Sequence, residues 1–468
     1  MTPSLTEDLL YFVFLYSLPS VLLITPTGPS SKIWTDPPPP PLNFSLVCRS
    51  WRQLVLSRPR LWCDISIVHK LGVREDHINP GFERLIKKWL ALSSPAPLRI
   101  HLDIQRDSNN YVSRVILPLF SQEHHRWHSI YSSIAISYTP KPLTFALPCS
   151  PSLTSLSADF WGATSSTGCI DLSRYTSDAA SHLEYLVLGY CTVMHLPPLH
   201  KTLHLPRLRV LRYKSAEGIG NLEDLQRILS ASKNLEELEI KIPGSTISTL
   251  KTIQDSIHLP HVTSLTLVMS NRPTTNYLLE RITCPSLRKL IFTVRYPMDT
   301  EPSVEEFAFM DFLRIRDFLA RSCSNASLEE LTLDWQDLKT VYYPDVESLR
   351  DLLLSLKDLK KLEVHEHLLT QEVIGMLTLR DEGSPGSQIC PSLLELQITK
   401  QFGCGFEEDM VEEMLVSRWK AGSLRSFTFA FPYFRELHRR KRVRDCVEEG
   451  LRIVDKSFEL GFKINPET

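Results

Sequence analysis

The side chains of this 468-residue chain that could do chemistry are few and scattered. His124, His125 and His128 are metal ligands by type, but no neighbouring Cys or carboxylate completes a ligand pattern, which leaves them as surface or core histidines. His365-Glu366-His367 in a strand would put two imidazoles on one face, enough only for weak chelation. Gly403-Cys404-Gly405 lacks the spacing and the Lys-Ser/Thr of a phosphate-cradling loop. No Gly-x-Ser-x-Gly elbow is present to expose a serine nucleophile. The ten cysteines, at 48, 63, 149, 169, 191, 284, 323, 390, 404 and 446, never stand in Cys-x-x-Cys spacing. That argues against a zinc site or a disulfide scaffold and for reduced thiols in cytoplasm or nucleus. The basic run His438 to Arg444 could address the nucleus or touch nucleic acid, but Glu436, Asp445, Glu448 and Glu449 flank it, as on a solvated helix face. The expectation is a non-catalytic chain with no metal and no cofactor.

What recurs instead is a framework. From about residue 150 a Leu-x-x-Leu-x-Leu pattern or close variant begins at Leu153, Leu183, Leu208, Leu235, Val262, Leu287, Leu328, Leu359, Leu393 and Leu424. The starts lie mostly 25 to 34 residues apart, and the longest interval, 287 to 328, is 41. Ten such units in series point to a solenoid. Each ends in apolar residues alternating with polar ones, as a strand with one buried face requires. Between them, 221–232, 304–321, 346–356 and 408–420 place apolar residues three and four apart, as helices do. A strand and a helix cannot bury both apolar faces alone, so neighbours must stack into a curved parallel sheet with helices outside. This resembles an irregular leucine-rich repeat without the asparagine ladder, and the helix in the longest interval is expected to bulge outward.

Such stacking exposes one column of residues on the concave face: Ser157, Val187, Arg212, Glu239, Thr266, Ile291, Thr332, Glu363, Gln397 and Thr428. It mixes charges, hydroxyls and aliphatics rather than converging titratable groups, which suits protein recognition better than catalysis. Within it, Arg212, Glu239, Thr266, Ile291, Thr332, Glu363 and Gln397 are the candidate target contacts.

The N-terminus differs from the repeats. Leu46, Val47, Trp51, Leu54 and Val55 fall at helical spacings on one face, with a break at Pro59 and a second tryptophan, Trp62, beyond it. The stretch VCRSWRQLVLSRPRLW closely resembles the second half of an F-box, the helical module that docks substrate receptors on the Skp1 adaptor of cullin-based ubiquitin ligases. Leu5 to Phe14 (LTEDLLYFVF) resembles its opening helix, usually L-P-x-E-L-L-x-x-I-F. Asp8 stands where Glu is usual, and Thr6 where proline is common; threonine can cap a helix that Glu7 and Asp8 favour. The halves are separated by residues 20–41, including Pro37 to Pro41, expected to be an extended, solvated loop. Long loops here are familiar in fungal members, which this chain resembles most.

The resemblance implies a substrate receptor whose F-box holds a Skp1-like adaptor, and through it a cullin, while the repeats hold a target protein. It assigns adaptor docking or its immediate support to Leu5, Leu9, Leu10, Val13, Phe14, Val47, Trp51, Leu54, Leu61 and Trp62. The alternative is a leucine-rich-repeat scaffold with a decayed F-box.

The implied organisation is an F-box-like helical module over 1–67, a connecting region of early repeats over 68–150, the solenoid over 151–435, and a charged helix and tail over 436–468. In the connecting region 81–92 and 112–120 read as helices, and 98–104 and 130–136 as strands, so the solenoid is expected to begin near residue 80. The 52 basic and 54 acidic residues leave a net charge of −2, no global field to draw nucleic acid or anionic membrane. The apolar run from Leu9 to Ile24 is about 16 residues, short of the roughly 20 a spanning helix needs, and Pro19 interrupts it. With Glu7 and Asp8 before it and no Lys or Arg, a buried interface helix fits better than a secretory signal.

Overall fold

Each Leu-x-x-Leu-x-Leu unit forms one strand, because only that geometry sends its alternate leucines to one side. The computed structural model describes residues 6–18, 23–24, 40–69, 81–107, 115–136, 146–148, 150, 152–162, 168–176, 181–189, 192–214, 222–242, 256–269, 272–295, 312–322, 328–336, 345–365, 368–379, 389–399, 408–429, 437 and 439–455. It divides into two units, 1–233 and 234–468.

The first unit opens with α1 (Glu7–Ser17), β1 (Leu23–Ile24), α2 (Pro40–Val47), α3 (Arg49–Leu56) and a 3-10 turn over Pro59–Trp62. It continues through β2 (Asp64–His69), α4 (Gly81–Leu92), β3 (Leu98–Asp107), α5 (Leu117–Gln122), β4 (Trp127–Ile136), β5 (Ala146–Pro148) and β6 (Ser155–Gly162). It ends with β7 (Gly168–Asp171), β8 (Tyr185–Leu188), β9 (Thr192–His195), β10 (Val210–Lys214) and α6 (Leu222–Ala231). Strands β1, β2, β3, β4, β6, β8 and β10 pair in that order, all parallel. Strands β5, β7 and β9 make a small second parallel sheet.

The second unit holds β11 (Glu237–Ile242), β12 (Ile257–His258), β13 (Ser264–Met269), α7 (Arg272–Arg281), β14 (Ile282–Thr283), β15 (Lys289–Arg295) and α8 (Phe312–Ser322). Then come β16 (Glu330–Gln336), α9 (Val346–Ser355), β17 (Lys361–His365), α10 (Gln371–Leu377), β18 (Glu395–Thr399), α11 (Glu408–Lys420), β19 (Ser426–Phe429), α12 (Lys441–Glu448) and β20 (Arg452–Asp455). Its parallel sheet runs β11, β13, β15, β16, β17, β18, β19, β20. A two-stranded parallel pair, β12 with β14, stands apart from it.

In register, the second unit stacks Leu238, Leu265, Leu290, Leu331, Leu362, Leu396 and Phe427 into one buried column. Two residues on, Ile240, Leu267, Phe292, Leu333, Val364, Ile398 and Phe429 form a second. Each such side chain contributes about 2 kcal/mol relative to exposure, so the repeats are fixed by stacking. The leading residue of every unit, from Leu153 through Leu424, is also buried. This is a leucine-rich-repeat-like α/β solenoid with a helical N-terminal module.

Arginines join successive repeats. Arg126, just before β4, donates to the carbonyl of Leu90 in the last turn of α4 at 2.8 Å. Arg321 of α8 reaches Leu279 O near the end of α7 at 2.5 Å, and Arg418 of α11 reaches Leu377 O at the end of α10 at 2.6 Å. Helix C-termini leave carbonyls without intrahelical donors, and a cation there also suits the helix dipole.

Several expectations change. The solenoid begins before residue 80: Asp64–His69, read as the tail of the helical module, is a strand paired with β3. Residues 42–56 do not form one helix, because Cys48 is extended and its Sγ accepts from Trp51 N at 3.4 Å as the cap of α3. The proline run is not wholly extended; Pro40 and Pro41 open α2, where a missing N–H removes no intrahelical bond. Thr6 occupies the cap position of α1, but its side chain makes no capping hydrogen bond. Of the helix expected over 304–321, Phe312–Ser322 forms α8 and buries its apolar stripe, and 304–311, on which the expected bulge depends, lie outside the described residues. The charged tail adds a strand, β20, to the sheet.

Candidate functional site

The head is built around Phe14. Its ring, on α1, stacks on Phe44 of α2 at 4.5 Å and meets Trp51 of α3 edge-on at 4.7 Å. Arg58, in the turn after α3, donates to Asp8 at 3.2 Å and lies over the Tyr11 ring at 5.1 Å. Arg52 Nε donates to Ser45 O at 2.9 Å, joining α3 to α2. Trp62 donates its indole N–H to Val55 O at 2.9 Å and packs edge-on against Trp89 of α4 at 4.9 Å, which fastens the head to the first repeats.

This arrangement divides the ten assigned docking residues. Phe14, Leu54, Leu61 and Trp62 are buried, so they support the head and offer no surface. Leu10 and Trp51 are half-buried, and Leu5 lies outside the described residues. Leu9 and Val13 face solvent, 54% and 50% exposed, and so does Val47 at 61%. With them stand three residues that sequence reasoning did not assign: Phe12 at 50%, Tyr16 at 85% and Leu46 at 63%. Leu9, Phe12, Val13 and Tyr16 are spaced i, i+3, i+4 and i+7, one stripe along α1. Because nearly every residue of α1 is apolar, periodicity could not tell this stripe from the inner face. What could have found Phe12 and Tyr16 is the position of Phe14, whose burial turns the opposite face outward.

On the strands, the residue between the two buried positions of each repeat falls in one register column. Pairing runs Ser66, His101, Tyr131, Ser157, Val187 and Arg212 in the first unit. In the second it runs Glu239, Thr266, Ile291, Thr332, Glu363, Gln397 and Thr428. Arg212 is exposed, and Glu239, Thr266, Ile291, Thr332, Glu363 and Gln397 are half-buried. Glu363 accepts from Gln397 Nε2 at 3.0 Å and from Thr332 Oγ1 at 3.4 Å. Glu239 pairs with Lys241 at 2.6 Å. His101 and Tyr131 are in ring contact at 4.5 Å; burial holds the His101 pKa below its usual value, opposed by Asp103.

The chemical candidates are not brought together. His124 contacts Ser121 O at 2.9 Å, while His125 and His128 are exposed. The buried member of that stretch is Arg126, which also bonds Glu123, Ser93 and Ala96 O. His365 is buried at the end of β17; Glu366, His367 and 403–405 lie outside the described residues. Burial pushes the thiols of Cys63 and Cys169 up to about 11 and that of Cys390 to about 12, so they stay protonated and unreactive. In the basic run, Arg440 pairs with Glu408, Asp409 and Glu412, which raises its pKa, and Arg444 lies 4.0 Å from Glu448. Among the described residues no group of three or more His, Cys, Asp or Glu could hold a metal ion. No helix among them is long and apolar enough to cross a membrane.

These features define a class: a leucine-rich-repeat-like solenoid with a helical head whose first helix shows an open apolar stripe. No family model matches the chain, and no curated protein matches it. Among solved structures, the TLR13–ssRNA13 complex is similar at 14% identity and a TM-score of 0.38. The match covers 66% of this chain and 44% of that one, so this chain spans less than half the length of that leucine-rich-repeat protein.

Proposed function

We propose that the chain is the substrate receptor of a Skp1–cullin–F-box ubiquitin ligase. The head docks a Skp1-like adaptor and the exposed strand face holds a target protein. The chain does no bond chemistry; it contributes proximity and orientation between its target and a ubiquitin-charged conjugating enzyme, in cytoplasm or nucleus. The observation that carries this reading is the α1 stripe of Leu9, Phe12, Val13 and Tyr16. Four large apolar residues on one helix face stay open to solvent in a module whose sequence resembles an F-box, and such a face suits a protein partner.

The test is co-purification with Skp1, comparing wild type with Leu9→Asp/Val13→Asp. Both positions are half exposed, so the variant keeps its fold by circular dichroism while losing capture. A well-folded wild type that captures no Skp1 would sink the ligase reading and leave a repeat scaffold.

A further inference from the structure

Helix α12 carries its charges in the wrong order for a helix standing alone. Its first turn holds Lys441, Arg442 and Arg444 and no acid, while its last turn holds Asp445 and Glu448 and no base. The helix dipole favours the reverse. Arg440, at the cap position, makes no side-chain capping bond. A helix of eight residues built this way is unstable by itself.

Beside α11 the same order becomes complementary. Helix α11 opens with Glu408 and Asp409, has Glu412 one turn on, and ends with Arg418 and Lys420. Arg440 pairs with Glu408 at 3.1 Å, with Asp409, and with Glu412 at 2.9 Å. Arg442 Nε lies 3.9 Å from the other oxygen of Glu412. At the far end Glu449 accepts from Trp419 Nε1 of α11 at 2.8 Å. One exposed ion pair contributes little, but several carboxylates converging on one guanidinium form a network.

The apolar seal beneath these charges is small. Helix α12 buries Val443 and Cys446, where α8 buries Phe312, Ile315, Phe318 and Leu319. Strand β20 adds little more. Ile453 and Asp455 continue the two columns that run through Phe427 and Phe429, yet Ile453 is half-buried and Asp455 is exposed. Among the described residues β20 is also an edge strand, paired on the β19 side.

We propose that α12 and β20 form a flap latched by charge, which folds and docks on α11 and β19 as one unit and opens while the rest of the sheet stays folded. Opening melts α12, whose own charges oppose the helix, and bares the edge of β19 beside Phe427 and Phe429. Because the latch is a network of surface charges, salt releases it.

The experiment is hydrogen–deuterium exchange on the full chain, at about 0.05 M and about 0.5 M NaCl. At the higher salt the amides of α12 and β20 exchange about tenfold faster or more, and together, while those of β16 and β17 change less than about twofold. R440Q opens the flap already at low salt and loses most of the salt dependence; protection retained in β16 and β17 shows that the variant is folded. R314Q, which breaks the isolated pair on α8, does neither. The proposal is overturned if salt leaves α12 and β20 unchanged, or if β16 and β17 accelerate with them. It is equally overturned if β20 stays protected while α12 opens, or if R440Q keeps the wild-type salt dependence.

Discussion

Two helices of this molecule carry the same spacing and meet opposite fates. On α1, Leu9, Phe12, Val13 and Tyr16 stand at i, i+3, i+4 and i+7, half or more exposed. On α8, Ile315, Phe318, Leu319 and Ser322 stand at the same offsets, and all four are buried. The α8 stripe lies between α7 and α9, and its one polar member is satisfied, because Ser322 Oγ accepts from Cys284 N at 3.1 Å. Among the described residues, the ring and charge contacts of helix α1 with other elements run through Phe14, Asp8 and Tyr11. Spacing shows which residues share a face; it does not show whether the chain itself supplies the surface that covers it.

The largest expected effect breaks the covered stripe. Phe318→Ala removes a fully buried ring and lowers the unfolding free energy by about 4 kcal/mol, measured by urea denaturation. Phe12→Ala, at the equivalent offset of α1, stays within about 0.5 kcal/mol of wild type. A loss of several kcal/mol from Phe12→Ala would mean that the α1 stripe has an intramolecular partner.

Next comes the polar joint between α10 and α11. Arg418 is fully buried and donates to Leu377 O, Ile389 O and Cys390 O. Burial lowers its pKa to about 10, so it remains charged at neutral pH. Arg418→Ala removes the guanidinium from three carbonyls, of which Cys390 O keeps the N–H of Leu393, and opens a void, with an expected loss of about 3 kcal/mol in the same assay. Gly189→Ala is expected to be milder, about 1–2 kcal/mol. A methyl group there would strike the Asp159 side chain, Oδ1 at 2.0 Å and Cβ at 2.5 Å, so Asp159→Gly in the same chain relieves more of the loss than Asp159→Ala, which keeps that Cβ. The smallest effect is on the outer side of α8, where Arg314 pairs with Glu280 in solvent. Arg314→Ala changes stability by under about 0.5 kcal/mol, and 0.5 M salt removes even that.

The sequence made the strand register legible, since Leu-x-Leu endings place one residue outward between two inward ones. Glu363 therefore stands beside Thr332 and Gln397 as the pattern requires. Much of the head was less legible. The outward face of α1 cannot be read from a segment in which both faces are apolar. Arg126 and Arg418 look like solvated charges, because sequence does not reveal the carbonyls of an earlier repeat that they reach. The strand β20 was hidden by flanking charge: Arg452 and Asp455 are exposed at its ends, and Ile453 and Val454 make the ladder contact between them.

The arginines that reach back also set an order of events during synthesis. The donor follows its acceptor by 36 residues for Arg126 and Leu90, by 42 for Arg321 and Leu279, and by 41 for Arg418 and Leu377. At about 5–20 residues per second on the ribosome, each of these helix ends waits several seconds for its donor to emerge. At these three joints growth is thus a relay in which the new repeat finishes its predecessor, and a chain stopped just short of one of these arginines frays one repeat further back than the point where it was cut.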